Sequence, residues 1–273
     1  MKILITGGAG FVGGTLAEHL RDSHEVTVVD NLQFGKDVPD GVKFYRMGIG
    51  TYARNCKEDF DVVVHAATAN IIYGMEDPFG LTQTNLTDTI DLFKAYQDTP
   101  IIYLSTASVY GNNPGIITED SPISCSNFYA MTKYMAEQWL VMYHKRYMIY
   151  RLSNVYGTRQ RPDNPYCGVI GKLLDCHKYG KVFTVYGDGT DTRTYTYVDD
   201  VVRSISINQF KCTVMNITTG KEHSINDLLK ILPCRVSHAE GRAIDTVRSR
   251  WVGTKYYNER IFTPLEVGLK KLL

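Results

Sequence analysis

The sequence predicts an α/β fold, a doubly wound parallel sheet joined to a smaller mixed α/β part at its C-terminal end. Three observations predict it. Short, continuously apolar runs alternate with stretches of helical periodicity, the pattern of strands buried on both faces. A glycine cluster from Gly7 to Gly13 follows the first of these runs directly. After residue 160 the regularity weakens and shorter runs of both kinds mix.

In chain order, Ile3-Leu4-Ile5 reads as a strand, residues 7–14 as a loop, and the segment carrying Leu16, Ala17 and Leu20 as a helix. Residues 26–29, 42–45 and 61–65 are the second, third and fourth strands. A long helical stretch follows, with Leu81, Leu86, Ile90 and Phe93 on one face. Residues 101–104 form a fifth strand, residues 129–146 a second long helix, and residues 147–152 a sixth strand. Right-handed crossovers wind such strands into a doubly wound sheet. Beyond a loop at 160–165, residues 182–186 and 214–217 read as short strands. Pro233 closes one helix, and Pro264 suits the first turn of the last.

Composition narrows the function. The 273 residues are 44% hydrophobic, enough for a sizeable core. Thirty Lys+Arg against 29 Asp+Glu leave a net charge of +1, without the basic excess of a nucleic-acid binder. No run of apolar residues is long enough for a transmembrane helix. The first glycine comes at residue 7, without a signal-peptide layout, so a cytoplasmic protein is expected. Six scattered cysteines form no C-x-x-C pair and seven histidines no H-E-x-x-H, so neither disulfides nor a metal site are expected.

The glycine cluster opens a helix directly after a strand. Gly7 makes the tight turn, Gly10 lets the backbone approach a pyrophosphate at the helix N-terminus, and Gly13 lets helix and strand pack closely. Asp30 ends the second strand, where a carboxylate accepts hydrogen bonds from ribose hydroxyls and repels a 2′-phosphate. That favours NAD over NADP. Tyr129 and Lys133 stand one helical turn apart. A tyrosine acts as a general base only if its pKa falls well below about 10, and a nearby Lys⁺ or an oxidised nicotinamide favours the phenolate. The pair follows the fifth strand, where the crevice of a doubly wound fold lies, and Ser105 and Thr106 supply hydroxyls at that strand's end.

Taken together, these segments resemble the extended short-chain dehydrogenase/reductases, within the NAD-dependent nucleotide-sugar epimerase/dehydratase family and like UDP-glucose 4-epimerases in pattern. The likeness extends over Asp30-Asn31-Leu32, residues 61–67, Ser105 to Gly111, Tyr129 to Lys133 and Arg151 to Gly157. It continues through residues 185–189, 193–200 and 216–220. It implies a Rossmann-type NAD domain over 1–162 with a return segment at about 194–217, and a substrate domain formed by 163–193 and 218–273. Thr106, Tyr129 and Lys133 are the implied catalytic residues. The implied NAD contacts are Gly7, Gly10, Phe11, Val12 and Gly13, then Asp30, Asn31, Ala66 and Ala67. Asn85, Ser105, Tyr129 and Lys133 complete them.

The resemblance also implies contacts to a UDP-sugar. Thr106 would meet the sugar, Asn154 and Arg193 the diphosphate, and Thr184 and Tyr186 the base. Arg242-Ala243-Ile244-Asp245 resembles an R-x-G-D stretch that supplies a second arginine and an acid. Arginine's planar fork suits a diphosphate. Homodimers are implied, through the Tyr-Lys helix and its neighbour; Met131, Tyr134, Met135 and Leu140 are candidates for that face or for the core. The shared first step has Tyr129 taking a proton from a sugar hydroxyl, usually at C4, while hydride passes to NAD. Dehydratases then use an Asp-Glu pair after the threonine, and decarboxylases a Ser-Glu. Ala107 and Ser108 stand there in this chain. The expected activity is therefore a 4-epimerase on a UDP-hexose. The alternatives are a 4-keto-sugar reductase and, in another class, a non-catalytic dinucleotide sensor. Three departures stand out: Gly48-Ile49-Gly50 lacks an acid that relatives use on adenine, Asp88 replaces a glycine, and Ile244 replaces the glycine of R-x-G-D.

Overall fold

The computed structural model describes every residue except 57, 114, 165–166, 206, 242–248 and 257–260. The first part of the chain runs β1 (Lys2–Thr6), α1 (Phe11–Leu20), β2 (Glu25–Asp30), β3 (Lys43–Arg46), α2 (Ile49–Asn55) and β4 (Val62–His65). Then come α3 (Ile71–Glu76), α4 (Pro78–Thr82), a π turn (Gln83–Thr87), α5 (Asp88–Ala95) and β5 (Ile101–Thr106). A 3-10 turn (Ala107–Tyr110) leads to β6 (Ile116–Ile117), α6 (Phe128–Tyr143), β7 (Tyr147–Leu152) and β8 (Asn154–Tyr156). The remainder is α7 (Val169–Tyr179), β9 (Val182–Tyr186), β10 (Thr192–Tyr197), α8 (Val198–Ser204) and β11 (Thr213–Ile217). It closes with β12 (Glu222–Ser224), α9 (Ile225–Ile231), β13 (Arg235–Ala239), β14 (Ser249–Val252) and α10 (Leu265–Lys270).

Seven parallel strands form the central sheet in the order β11-β7-β5-β4-β1-β2-β3, a Rossmann-like doubly wound arrangement. Successive side chains point to opposite faces, and both faces are covered. Ile3, Ile5, Val28 and Val64 pack against Leu16 and Ala17 of α1 and Val201 of α8. Leu4, Val29, Val63 and Tyr103 pack against Tyr52 of α2, Phe93 of α5 and Leu140 of α6. A separate cluster joins α7, β9, β10, α9 and α10 through Leu173, Phe183, Tyr195, Leu228 and Leu269. Around it lie a five-stranded sheet, in which β10 pairs with β12, β14 and β8, and the parallel pair β9–β13.

Three local expectations are corrected. The helical stretch before β5 is broken by the π turn, and it buries Leu81, Asn85, Thr89, Leu92 and Phe93, while Leu86 and Ile90 are only half-buried. The buried polar pair is satisfied internally: Asn85 bridges the backbone of Ala69, and Thr89 bonds His65 and the Thr84 carbonyl. The Tyr-Lys helix ends at Tyr143 rather than near Arg146, because His144 turns extended (φ −109°, ψ 139°) to enter β7. Pro264 is the residue before the last helix, not part of its first turn; its extended ψ of 145° sets the entry angle and its carbonyl accepts from Gly268 N at 2.9 Å. All six cysteines are free thiols. Among the described residues no helix is long and apolar enough to cross a membrane.

Candidate active site

The strand order reverses between β1 and β4, and the glycine loop sits at that switch point. Gly7 has φ +73°, and its N–H donates to Val29 O at 2.8 Å. A Cβ at Gly7 would lie 2.5 Å from Ala67 N, and one at Gly13 would lie 2.4 Å from Gly7 O. Loop, α1 and the segment just after β4, carrying Ala66 and Ala67, therefore meet backbone to backbone. Gly10 is the N-cap of α1 and offers no side chain to it, so the first N–H groups of that helix, at Phe11 and Val12, are open to an anionic group. This cradle fits a dinucleotide diphosphate.

Asp30 closes β2 beside it. One carboxylate oxygen accepts from Ala9 N at 3.1 Å and the other from Leu32 N at 2.8 Å. Burial raises its pKa, and those two N–H groups pull the other way. Each oxygen keeps a lone pair for a ribose hydroxyl. Asn31 is exposed and caps the following turn by accepting from Gln33 N at 3.0 Å. Residues 31–37 then cross the glycine loop so closely that a Cβ at Gly35 would lie 2.2 Å from Ala9 O. The crossing segment is fastened on several sides. The Phe34 ring meets Tyr73 edge-on at 5.1 Å, Asn164 donates to Phe34 O at 3.2 Å, and Arg159 donates to Asp37 O while pairing with Glu18 at 2.5 Å. A cavity of about 120 Å³ remains between Gly10, Phe11, Phe34, Arg159 and Asn164. Nothing in the motif pattern pointed to Arg159, Asn164 or Tyr73.

The hydroxyl, phenol and ammonium groups gather at the C-terminal end of β5. Asn127 caps α6 by accepting from Ala130 N at 2.9 Å, which puts half-buried Tyr129 in the first turn. Lys133 follows one turn later, 2% exposed, donating to Leu104 O at 2.8 Å and lying 4.2 Å from the centre of the Tyr103 ring. Burial pushes its ammonium down to about 7, opposed by the charge of Glu137. Thr106 Oγ1 accepts from Ser108 N at 3.1 Å, so its own proton is available to an oxygen in the crevice. Ser105 turns the other way and donates to Glu137 inside the protein. Asn85 lies fully inside, with its amide spent on Ala69 and, at 3.4 Å, on Thr132.

The residues expected at the nucleotide end are distributed over two sheets. Leu152 is the register partner of Thr106, so exposed Asn154 emerges two residues beyond the β5 terminus. Asn154 in turn pairs with Tyr195, two residues along β10 from half-buried Arg193, which donates to Thr192 O at 2.7 Å. Thr184 and Tyr186 stand apart on β9, where Thr184 meets Ser237 of β13 at 3.2 Å and Tyr186 is exposed. Arg242 and Asp245 lie outside the described residues. Among the described residues no group of three His, Cys, Asp or Glu is placed to hold a metal ion.

Comparison with known proteins agrees with this fold. Residues 3–208 match the model of the NAD dependent epimerase/dehydratase family. A putative UDP-glucose 4-epimerase of Methanocaldococcus jannaschii is 33% identical over 248 residues, 84% of this chain and 81% of that one. A UDP-N-acetyl-alpha-D-glucosaminuronate decarboxylase of Bacillus cytotoxicus is 32% identical over 273 residues, covering 89% and 82%. The UDP-glucose 4-epimerase of Thermotoga maritima, solved with UDP-glucose, superposes with a TM-score of 0.92 at 29% identity over 99% of this chain and 96% of that one.

Proposed function

This chain belongs to the NAD-dependent epimerase/dehydratase family and uses NAD, and we propose that within it the protein is a nucleotide-sugar 4-epimerase acting on a UDP-hexose. One observation carries the choice. β5 delivers Thr106 and the chain turns at once through Ala107 and Ser108, with no carboxylate in the 3-10 turn to eliminate water or assist decarboxylation. Relatives named as a dehydratase and a decarboxylase lie at similar identity, so the reading rests on this turn.

In this reading Gly7, Gly10 and Gly13 with the first N–H groups of α1 hold the cofactor diphosphate, and Asp30 holds its ribose. When bound, NAD supplies the two-electron acceptor and donor for C4. Tyr129 takes the proton of the C4 hydroxyl and later returns it. Thr106 donates a hydrogen bond to the same oxygen, and Lys133 supplies positive charge beneath the phenol. Asn154 and Arg193 hold the diphosphate of the sugar nucleotide. The protein works as a homodimer through α6 and α4, where Phe79, Phe128, Met131, Met135 and Met142 are exposed on the surface.

The test is incubation of the purified protein with UDP-glucose and with UDP-galactose. Interconversion without added cofactor is expected, and Tyr129→Phe should lower kcat by about 100-fold or more. Turnover confined to a 4-keto-sugar with added NADPH would overturn the proposal.

A further inference from the structure

Behind the three candidate catalytic side chains runs a buried polar chain centred on Glu137, which is 0% exposed. Glu137 follows Lys133 by one turn of α6 and Tyr129 by two. Its Oε1 accepts from Ser105 Oγ, the residue before Thr106. Both its oxygens accept from Arg151 Nε at 3.1 Å, and Oε2 accepts from Nη2 at 2.6 Å. Arg151 is the register partner of Ser105 on β7, and its Nη1 donates to the Tyr110 hydroxyl at 2.9 Å. Tyr110 donates to Asn216 Oδ1 at 2.8 Å on β11, and Asn216 Nδ2 donates to Gly253 O at 2.9 Å. One carboxylate thus joins α6 to β5 and β7 and, through two further side chains, to the segment after β14.

We propose that Glu137 is a positioning residue for the reaction: it fixes the end of β5 against α6, and so sets where Thr106 and Lys133 stand relative to Tyr129. The proposal rests on the catalytic assignment made above. A buried ion pair is weak evidence of stability, since apolar side chains of the same volume fill a core as well. A buried network with every member satisfied instead specifies one geometry. Here that geometry includes the site, because Lys133 hangs from Leu104 O on β5 and Ser105, the next residue of the same strand, is tied to Glu137. A slip of β5 along α6 would move Thr106 and the Lys133 anchor together, while Tyr129 stayed on the helix.

Charge points the same way. The groups facing Lys133 are Glu137 on α6, His65 on β4 and Tyr103 on β5, and Tyr129 acts on Tyr103 in turn. His65 is held neutral by burial and by the Lys133 charge, and burial keeps Tyr103 protonated. Glu137 is therefore the anion that opposes the burial of the Lys133 ammonium. Facing Glu137 are Arg151 on β7, Ser105 and Tyr103 on β5 and Cys125 in the loop before α6. Burial lowers the Arg151 affinity for its proton, but the bonds to Glu137 outweigh it and raise the guanidinium above its usual value.

The experiment titrates ¹³Cε-lysine-labelled, full-length, cofactor-stripped protein by NMR, with the Lys133 signal assigned from Lys133→Met, and measures kcat and KM alongside. In Glu137→Gln the Lys133 midpoint should fall by roughly half a pH unit or more as its counter-charge is lost. Ser105→Ala keeps the ion pair and removes only the tie to β5. It should lower kcat about tenfold or more with KM nearly unchanged and the Lys133 midpoint in place. An unmoved midpoint in Glu137→Gln would overturn the proposal. So would an unchanged kcat in Ser105→Ala, which decides the matter if Glu137→Gln does not fold. If the wild type turned over no nucleotide sugar, the reaction assigned above would fall, and the titration would still judge Glu137.

Discussion

Adding one methyl group to the glycine loop tests the close approach on which the cofactor cradle depends. In Gly13→Ala the new Cβ would lie 2.4 Å from Gly7 O, 2.9 Å from Gly7 C and 3.3 Å from Ala66 Cβ. An ordinary contact needs about 3.5 Å, so one side must retreat by about 1 Å. Gly7 cannot, because its N–H is bonded to Val29 O at 2.8 Å and Ala67 N stands directly behind it. The movement falls on α1, and it lifts Leu16, Ala17 and Leu20 from the sheet. Overpacking of this kind costs about 1–3 kcal/mol, and alanine's better helix propensity returns about 1 kcal/mol. The expected net loss is about 1 kcal/mol, a fall in Tm of roughly 2–4 °C. Urea denaturation reads the stability, and the absorbance of NAD released on denaturation reads the cofactor content, which should fall with it. Gly48→Ser is the control: its Cβ would meet nothing within 4 Å, and a serine N-cap on α2 should gain a few tenths of a kcal/mol. A Gly13→Ala protein as stable as wild type, with a full load of NAD, would refute the packing argument.

The burial of Lys133 gives a pH-dependent stability of definite sign. Its folded pKa, pushed down to about 7, lies below the ordinary value of 10.5, so unfolding takes up a proton between those limits. Stability therefore rises with pH through that window and is flat below it. Relative to Lys133→Met, cofactor-stripped wild type should gain about 2 kcal/mol between pH 7 and pH 9 in urea titrations, and a constant difference would contradict the burial. Asp30→Asn removes the charge that faces the ribose, so NAD should bind about tenfold more weakly in calorimetric titration while discrimination against NADP shrinks. An unchanged preference would place the selecting group elsewhere. In the proposed homodimer, Met135→Glu puts a carboxylate on the exposed apolar stripe of α6 and should shift sedimentation from dimer to monomer. A dimer that persists would move the interface to another face.

What the sequence displayed was local. The buried strands, the glycine turn, the acid ending β2 and the Tyr-Lys spacing are each written within a few neighbouring residues, where backbone sterics and side-chain period act. What it hid depends on distant partners. The apolar face read through Leu86 and Ile90 missed that Asn85 and Thr89 are the buried residues, because their satisfaction comes from Ala69, Thr132 and His65. Lys133 and Glu137 sit in the same helix as exposed Met131 and Met135, and only the tertiary structure separates the two faces. Of the residues weighed between core and interface, Leu140 is core, while Met131 and Met135 are exposed. Two departures from the family pattern prove to be in contact. A Cβ at Gly50 would lie 2.2 Å from Asp88 Oδ1, so the missing side chain at 50 makes room for the extra one at 88, which Gln83 holds at 2.6 Å. Read one at a time, neither substitution reveals this.

The pairing of β7 with β11 also has a consequence for how the protein is made. The register Met148↔Thr213 joins strands separated by about 60 residues of chain, which carry β8, α7, β9, β10 and α8. At synthesis rates of about 5–20 residues per second, the outer edge of β7 waits roughly 3–12 s for its neighbour. Meanwhile a row of unpaired backbone groups beside Met148 and Tyr150 stays available to other nascent chains. Changes that weaken β11 should therefore register first as aggregated product at the ribosome, with the molecules that do complete the sheet turning over at nearly the normal rate.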